Sequence, residues 1–222
     1  MSKTPYRELV GSLMYLAIGT RPDIVFTVNQ LCRFLDCYGK VHWEAAKRVV
    51  RYLKGTCTLR LILGSEHVVR LLRYTDSDYA SCPNTHRSTT GYCFSLGSGV
   101  ISWASRHQSL VTLSTCEAEY IAACEASQEL VWLHQLLAGL HHRQATASPL
   151  MCDNNGTIVL SGDPAFHSKL EHTQIKYKFL RECVDDSQVY LPHVPSQDNI
   201  ANAFTKVLIP RVFARHCVAM GL

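Results

Sequence analysis

The chain has 222 residues, 47% of them apolar, and a net charge of +4 with the histidines neutral. That apolar content supports a folded core and excludes a wholly disordered chain, while the mild positive charge permits a polyanionic partner without requiring one. No apolar run is long enough for a membrane span, and Met1-Ser2-Lys3-Thr4-Pro5 opens no signal-peptide apolar stretch, so we expect no membrane partner and an intracellular protein, cytoplasmic or nuclear. The ten cysteines are scattered with no C-x-x-C pair, which reads as reduced thiols. Helical spacing of Val10, Leu13, Met14 and Ala17 predicts a first helix, broken by Arg21-Pro22-Asp23. Helices are predicted next over 24–35 and 42–54, the latter with Ala46, Val49, Val50 and Leu53 on one stripe and a stop at Gly55-Thr56. Short runs of strand formers follow at 59–63, 69–75, 92–96 and 100–104, with Gly97-Ser98-Gly99 as a hairpin turn.

A long helix is predicted over 115–140, then a strand over 149–152 and a helix from 154. A helix over 172–184, a strand over 188–193 and helices over 199–205 and 210–220 complete the chain. After residue 54 this order suggests an α/β or α+β domain with a mixed sheet covered by helices. The composition shift near 55–65 marks a boundary, and the helical N-terminus looks too small to be a complete domain.

Carboxylates at strand ends are the strongest chemical signal. Asp76 and Asp78 follow the strand at 69–75, and Asp153 follows the strand ending at Cys152. If these strands are neighbours, Asp76 and Asp153 meet at one end of the sheet, where ligand sites of open α/β sheets lie. Glu119 shares a helical stripe with Ala123, Ala126, Leu130, Leu133 and Leu137, whereas Glu117 shares a less apolar face with Ile121, Cys124 and Gln128. A carboxylate on a buried stripe is costly unless its charge is compensated, and a divalent metal does that. Mg²⁺ favours oxygen ligands, and a pair of ions about 3.5–4 Å apart suits phosphodiester hydrolysis.

Blander readings stand beside this one. An Asp after a strand is usually a turn residue or cap, and Glu119 on its own reads equally as a partly exposed helix residue or a first-turn anion. His167 and His172, with Cys152 or Cys183, are a zinc alternative, but they lack tightly paired spacing. Cys183-Val184-Asp185-Asp186 sits at a helix end rather than in a hairpin, which argues against a polymerase aspartate pair. Lys47, Arg48, Arg51 and Lys54, and separately Lys169, Lys176, Lys178 and Arg181, either track phosphates or form solvated helix faces. Trp43, Trp103 and Trp132 read as core or half-buried packing.

Two stretches resemble the tail of the reverse transcriptase in copia-type retrotransposon Pol polyproteins. The first is Pro5-Tyr6-Arg7-Glu8-Leu9-Val10-Gly11-Ser12-Leu13-Met14-Tyr15-Leu16 with Thr20-Arg21-Pro22-Asp23-Ile24. The second is His42-Trp43-Glu44-Ala45-Ala46-Lys47-Arg48 with Tyr52-Leu53-Lys54-Gly55-Thr56. The remainder resembles that family's ribonuclease H domain, through Tyr74-Thr75-Asp76-Ser77-Asp78-Tyr79-Ala80, Arg87-Ser88-Thr89-Thr90-Gly91-Tyr92 and Ile101-Ser102-Trp103. Further marks are Leu113-Ser114-Thr115-Cys116-Glu117-Ala118-Glu119-Tyr120, Cys152-Asp153-Asn154 and Phe204-Thr205-Lys206. The match runs in order over nearly the whole chain. It implies a C-terminal fragment divided into a helical reverse-transcriptase remnant at 1–56 and a ribonuclease H-like domain at 57–222. The implied fold is α/β, a mixed five-stranded sheet flanked by helices.

The resemblance also implies an activity: cleavage of the RNA strand of an RNA–DNA hybrid, with the rest of a reverse transcriptase as partner. Four acidic positions around two Mg²⁺ ions carry it, with Mn²⁺ as a substitute. Asp76, Glu119 and Asp153 match the first three as metal ligands. Asn202 stands where the last aspartate is expected, so its amide oxygen offers a ligand without charge, and weaker binding of one ion follows. Asp198 lies about one helical turn away. Glu171 and Gln174 sit where family members often carry a basic residue and an aspartate. Nothing in the chain resembles a polymerase palm or fingers, a protease or an integrase. These departures give a second expectation: a weakened or inactive remnant that keeps the fold and at most binds nucleic acid.

Overall fold

Residues 71–107 form a three-stranded antiparallel meander, β1 (Leu71–Asp78), β2 (Thr89–Leu96) and β3 (Gly99–His107), in the order β1-β2-β3, with the central β2 buried on both faces from Thr89 to Phe94 because helices pack on each side. It was described with the rest of the chain in a computed structural model covering residues 4–64, 71–144, 146–162 and 174–222. The readings that rest on His167, Lys169, Glu171 and His172 lie outside the described residues. The β2–β3 turn centres on Gly97 at φ 68°, a left-handed conformation that suits glycine.

Two short parallel strands, β4 (Ser148–Pro149) and β5 (Val189–Tyr190), extend the meander. The Thr75 N–H donates to the Met151 carbonyl (3.0 Å), and the Met151 N–H donates to the Arg73 carbonyl (2.9 Å). The chain just after β4 therefore runs parallel to β1, bridging Tyr74 to Met151. The strands follow one another in the order β3-β2-β1-β4-β5, a three-stranded and a two-stranded sheet joined by these bonds into the mixed arrangement expected.

Helices cover both faces. On one lies α4 (Thr115–Gly139), the 25-residue helix that the apolar stripe predicts. Ser114 caps it by accepting from the Glu117 N–H (3.1 Å), and the Glu117 carboxylate accepts from the Leu113 N–H (2.7 Å), one residue ahead of the cap. Its stripe of Ala123, Ala126, Leu130, Leu133 and Leu137 is buried against Phe94 of β2, Leu150, and Leu180 and Cys183 of a later helix.

The other face carries α1 (Tyr6–Gly19), α2 (Val25–Cys32) and α3 (Lys40–Gly55). Val10, Leu13, Ala17, Val28 and Ala46 form one core with Cys93, Val100, Phe204 and Met220. The Trp103 indole N–H donates to the Ala17 carbonyl (2.9 Å). The helical N-terminus is thus the cover of a sheet face. Arg21 and Asp23, read from sequence as a helix break and part of a family mark, form a buried two-pronged ion pair (2.9 and 2.7 Å) that also accepts the Tyr52 hydroxyl.

The remaining helices are α5 (Asn155–Gly162), α6 (Gln174–Asp185) and α7 (Pro210–Ala219). A 3₁₀ helix, Ile200–Phe204, replaces the α-helix expected over 199–205. Residues 59–63 form no strand. Single bonds tie this stretch down instead: the Ile62 N–H reaches the Gly221 carbonyl, and the Gly64 N–H reaches the Ser98 hydroxyl, both at 2.8 Å.

Candidate metal centre

Strand β1 runs three residues further than its pattern suggests, so Asp76 lies inside the strand, opposite Gly91 of β2. The parallel register pairs Tyr74 with Met151, which places position 153 beside position 76, two residues on in each chain. Glu119 arrives from the first turns of α4, directed at the sheet by the buried stripe on which it lies. One carboxylate oxygen from each of Asp76, Glu119 and Asp153 falls within 4.8 Å of the others. Asp76 is 1% and Glu119 6% exposed, and Asp153 is half-buried.

Burial raises the Asp76 carboxyl above the usual range, and Asp153 adds to this; Lys206 and the Thr205 hydroxyl oppose it. Glu119 is pushed well above the usual range, first by burial and then by the charges of Asp76 and Asp153, with the Ser77 N–H and Lys206 acting against. Three carboxylates this close repel one another. Oδ1 of Asp76 and Oε2 of Glu119 are buried without hydrogen-bond partners among the described residues. Hard, anionic oxygens left unsatisfied in a shared space are the donor set of a divalent ion such as Mg²⁺. The residues present therefore fit such an ion.

Two segments hold this geometry. The Thr205 hydroxyl donates to Oδ2 of Asp76, and the Lys206 ammonium lies 3.5 Å from the same oxygen. Asn199 accepts from the Ala201 N–H (3.1 Å) to cap the 3₁₀ helix and donates to the Thr75 carbonyl (2.8 Å), fastening that turn to β1. On the other side, the Gln108 amide donates to the Ala118 carbonyl (2.8 Å) and the Thr90 hydroxyl (3.1 Å), joining α4 to β2.

No protein-family model matches the chain. The Retrovirus-related Pol polyprotein from transposon TNT 1-94 of Nicotiana tabacum is 42% identical over 213 residues, which is 95% of this chain and 16% of that protein. The Pol polyprotein from transposon RE1 of Arabidopsis thaliana is 37% identical over 219 residues, 99% of this chain and 15% of that one. The chain belongs to the copia-type retrotransposon Pol polyproteins. It spans about 15% of the length of these relatives. Its fold is ribonuclease H-like, with N-terminal helices added. A foamy viral protease-reverse transcriptase, solved in complex with RNA/DNA hybrid, superposes on 92% of this chain and 26% of its own, with a TM-score of 0.50 at 10% identity.

Within this Pol segment the other expected residues are placed as follows. Asp78 is half-buried and stands outside the group of three carboxylates. Asn202 sits in the 3₁₀ helix, 4% exposed; its amide donates to the Ser196 carbonyl, and its Oδ1 is buried with no partner among the described residues. Cys152 and Cys183 are buried in the apolar core, and burial raises both thiols, Cys183 to about 11, which does not favour zinc ligation. No disulfide joins cysteines among the described residues. Trp43 and Trp103 are half-buried, but Trp132 is 53% exposed, contrary to the packing role expected. No helix among the described residues is long and apolar enough to cross a membrane.

Sequence reasoning missed the roles of Thr205, Lys206, Asn199 and Gln108. Phe204-Thr205-Lys206 was visible as a family mark, but its contact with Asp76 spans 129 positions and has no local signature.

Proposed function

We propose that this chain is a ribonuclease H-type endonuclease that hydrolyses the RNA strand of RNA–DNA hybrids, using Mg²⁺ with Mn²⁺ as a substitute. The observation that carries this reading is the convergence of Asp76, Glu119 and Asp153 within 4.8 Å, with buried oxygens left unsatisfied. The family's scheme has four acidic positions around two ions; here Asp76, Glu119 and Asp153 would hold them, with the Asn202 side-chain oxygen as a neutral fourth ligand in place of the family's aspartate. Bound there, the ions would supply an activated water and charge stabilisation of the leaving oxygen.

The chain's own residues prepare that site. The Ser77 N–H orients Glu119, and Thr205 fixes the rotamer of Asp76. Asn199 and Gln108 hold the 3₁₀ turn and α4 against β1 and β2, so the carboxylates are set before any ligand arrives. Exposed Arg48, Arg51 and Lys54 on α3 offer cations to a phosphate backbone. The hybrid in the foamy viral complex supports the same substrate class, with the rest of a reverse transcriptase as partner.

A second reading is favoured by one observation: Asn202 removes a negative charge from the expected set. In that reading the chain binds hybrid and cuts it slowly or not at all. A labelled RNA–DNA hybrid, incubated with Mg²⁺ or Mn²⁺, decides between them. Metal-dependent cutting that disappears in Asp76→Asn and rises in Asn202→Asp supports the nuclease. Equal cutting by Asp76→Asn, or none in any form, counts against it.

A further inference from the structure

The centre contains a cation of its own. Lys206 Nζ lies 3.5 Å from Oδ2 of Asp76, with its side chain 35% exposed and the carboxylate 1% exposed. It follows directly on Thr205, whose hydroxyl binds the same oxygen. Backbone bonds from Thr205 and Lys206 to the Asn202 carbonyl (3.3 and 3.2 Å) place Lys206 one turn beyond Asn202. Its stem is thus fixed by the turn that also carries the uncharged fourth position.

Charge balance gives this contact a meaning. Four carboxylates neutralise two divalent ions. Asp76, Glu119 and Asp153 offer at most three negative charges, which one divalent ion and one ammonium neutralise together. A second divalent ion would enter beside Lys206 against its repulsion, at short range and on a largely dehydrated carboxylate, where such charges interact strongly. The other two carboxylates and the unpartnered Oδ1 of Asp76 stay open to the first ion.

We propose that Lys206 is a built-in counter-cation standing in for the second divalent ion, so that in the absence of nucleic acid the centre binds a single divalent ion. This deepens the nuclease reading and rests on Asp76, Glu119 and Asp153 being metal ligands. Lys206 is a charge-balancing residue: it acts on the metal through Asp76. A lysine that merely supported the fold would weaken metal binding when removed. A competing cation does the reverse.

The test is calorimetric titration of the metal-free chain with MnCl₂, with no nucleic acid present, for wild type, Lys206→Met, Lys206→Arg and Asp153→Asn. Circular dichroism and melting temperature check the fold of each. Wild type should bind one Mn²⁺. Lys206→Met, which keeps most of the stem, should bind it about tenfold more tightly or admit a second ion, and Lys206→Arg should resemble wild type. Binding by Lys206→Met alone would also support the role. Two ions of similar affinity in wild type, or unchanged or weaker binding in a folded Lys206→Met whose wild type depends on Asp153, would overturn the role of Lys206 alone. Binding unaffected by Asp153→Asn, or no binding in any folded variant, would remove the metal centre itself and the proposal with it.

Discussion

The Thr205 hydroxyl donates a hydrogen bond to Oδ2 of Asp76, joining the C-terminal 3₁₀ turn to the central strand across 129 positions. Both groups are buried, Thr205 at 0% and Asp76 at 1% exposure. Hydrogen bonds to buried carboxylates contribute about 1.5–3 kcal/mol. Thr205→Val keeps the shape and removes the donor, so it should lower the unfolding free energy by about that amount in urea titrations at neutral pH. No change in stability would mean that this contact does not set the rotamer of Asp76.

Gly91 lies opposite Asp76 on β2 and faces the same turn. A methyl group there would meet Thr205 Cγ2 at 2.6 Å, Phe204 Cβ at 2.8 Å and the Ala201 carbonyl at 3.0 Å. Gly91→Ala should therefore displace the turn, costing about 1–3 kcal/mol and weakening Mn²⁺ binding as well. A variant as stable as wild type, with equal Mn²⁺ affinity, would show that the turn tolerates displacement.

These two contacts show what the sequence reveals and what it conceals. The long helix, the hairpin around Gly97 and the carboxylates Asp76, Glu119 and Asp153 were readable because apolar periodicity, turn residues and short motifs are local properties. Glu119 stood out as a charge on an apolar stripe, and the structure places it at 6% exposure beside the other two. The strand expected at 59–63 was not formed: Ile62 and Leu63 are 62% and 61% exposed, Leu61 packs on the core, and only the Ile62 N–H reaches the C-terminus, at Gly221. Gly91, Asn199 and Thr205 gave no local signal; each matters only through what the fold brings against it.

Helices α1–α3 share a core with Cys93, Val100, Phe204 and Met220. A chain lacking residues 1–56 would expose that face. Each large apolar side chain returned to water forfeits about 1.5–3 kcal/mol, so a few suffice to cancel a typical net stability of about 5–15 kcal/mol. The shortened chain should lose cooperative thermal unfolding in calorimetry. A sharp transition near the full-length melting temperature would show that residues 57–222 fold independently.

Burial holds the imidazoles of His107, His134 and His216 below their ordinary value, and the neighbouring Arg73 depresses His134 further. As pH falls through the ordinary histidine value, about 6.5, the unfolded chain takes up these protons first. Their contribution is therefore complete above that value and declines as pH drops towards the folded values. His134→Gln removes one such group and keeps a partner for the Ser148 hydroxyl, which lies 2.9 Å from His134 Nε2. The variant should lose less stability than wild type between pH 7.5 and pH 5 in urea titrations, comparing each protein with itself. Parallel pH profiles would contradict the assignment.

The central claim is that Asp76, Glu119 and Asp153 are jointly a metal centre. An anomalous-difference map from a crystal of the chain equilibrated with Mn²⁺ tests it most directly. The account predicts a peak at coordination distance, about 2.0–2.3 Å, from oxygens of all three carboxylates. An empty site at saturating Mn²⁺, or a peak only elsewhere on the surface, would contradict it.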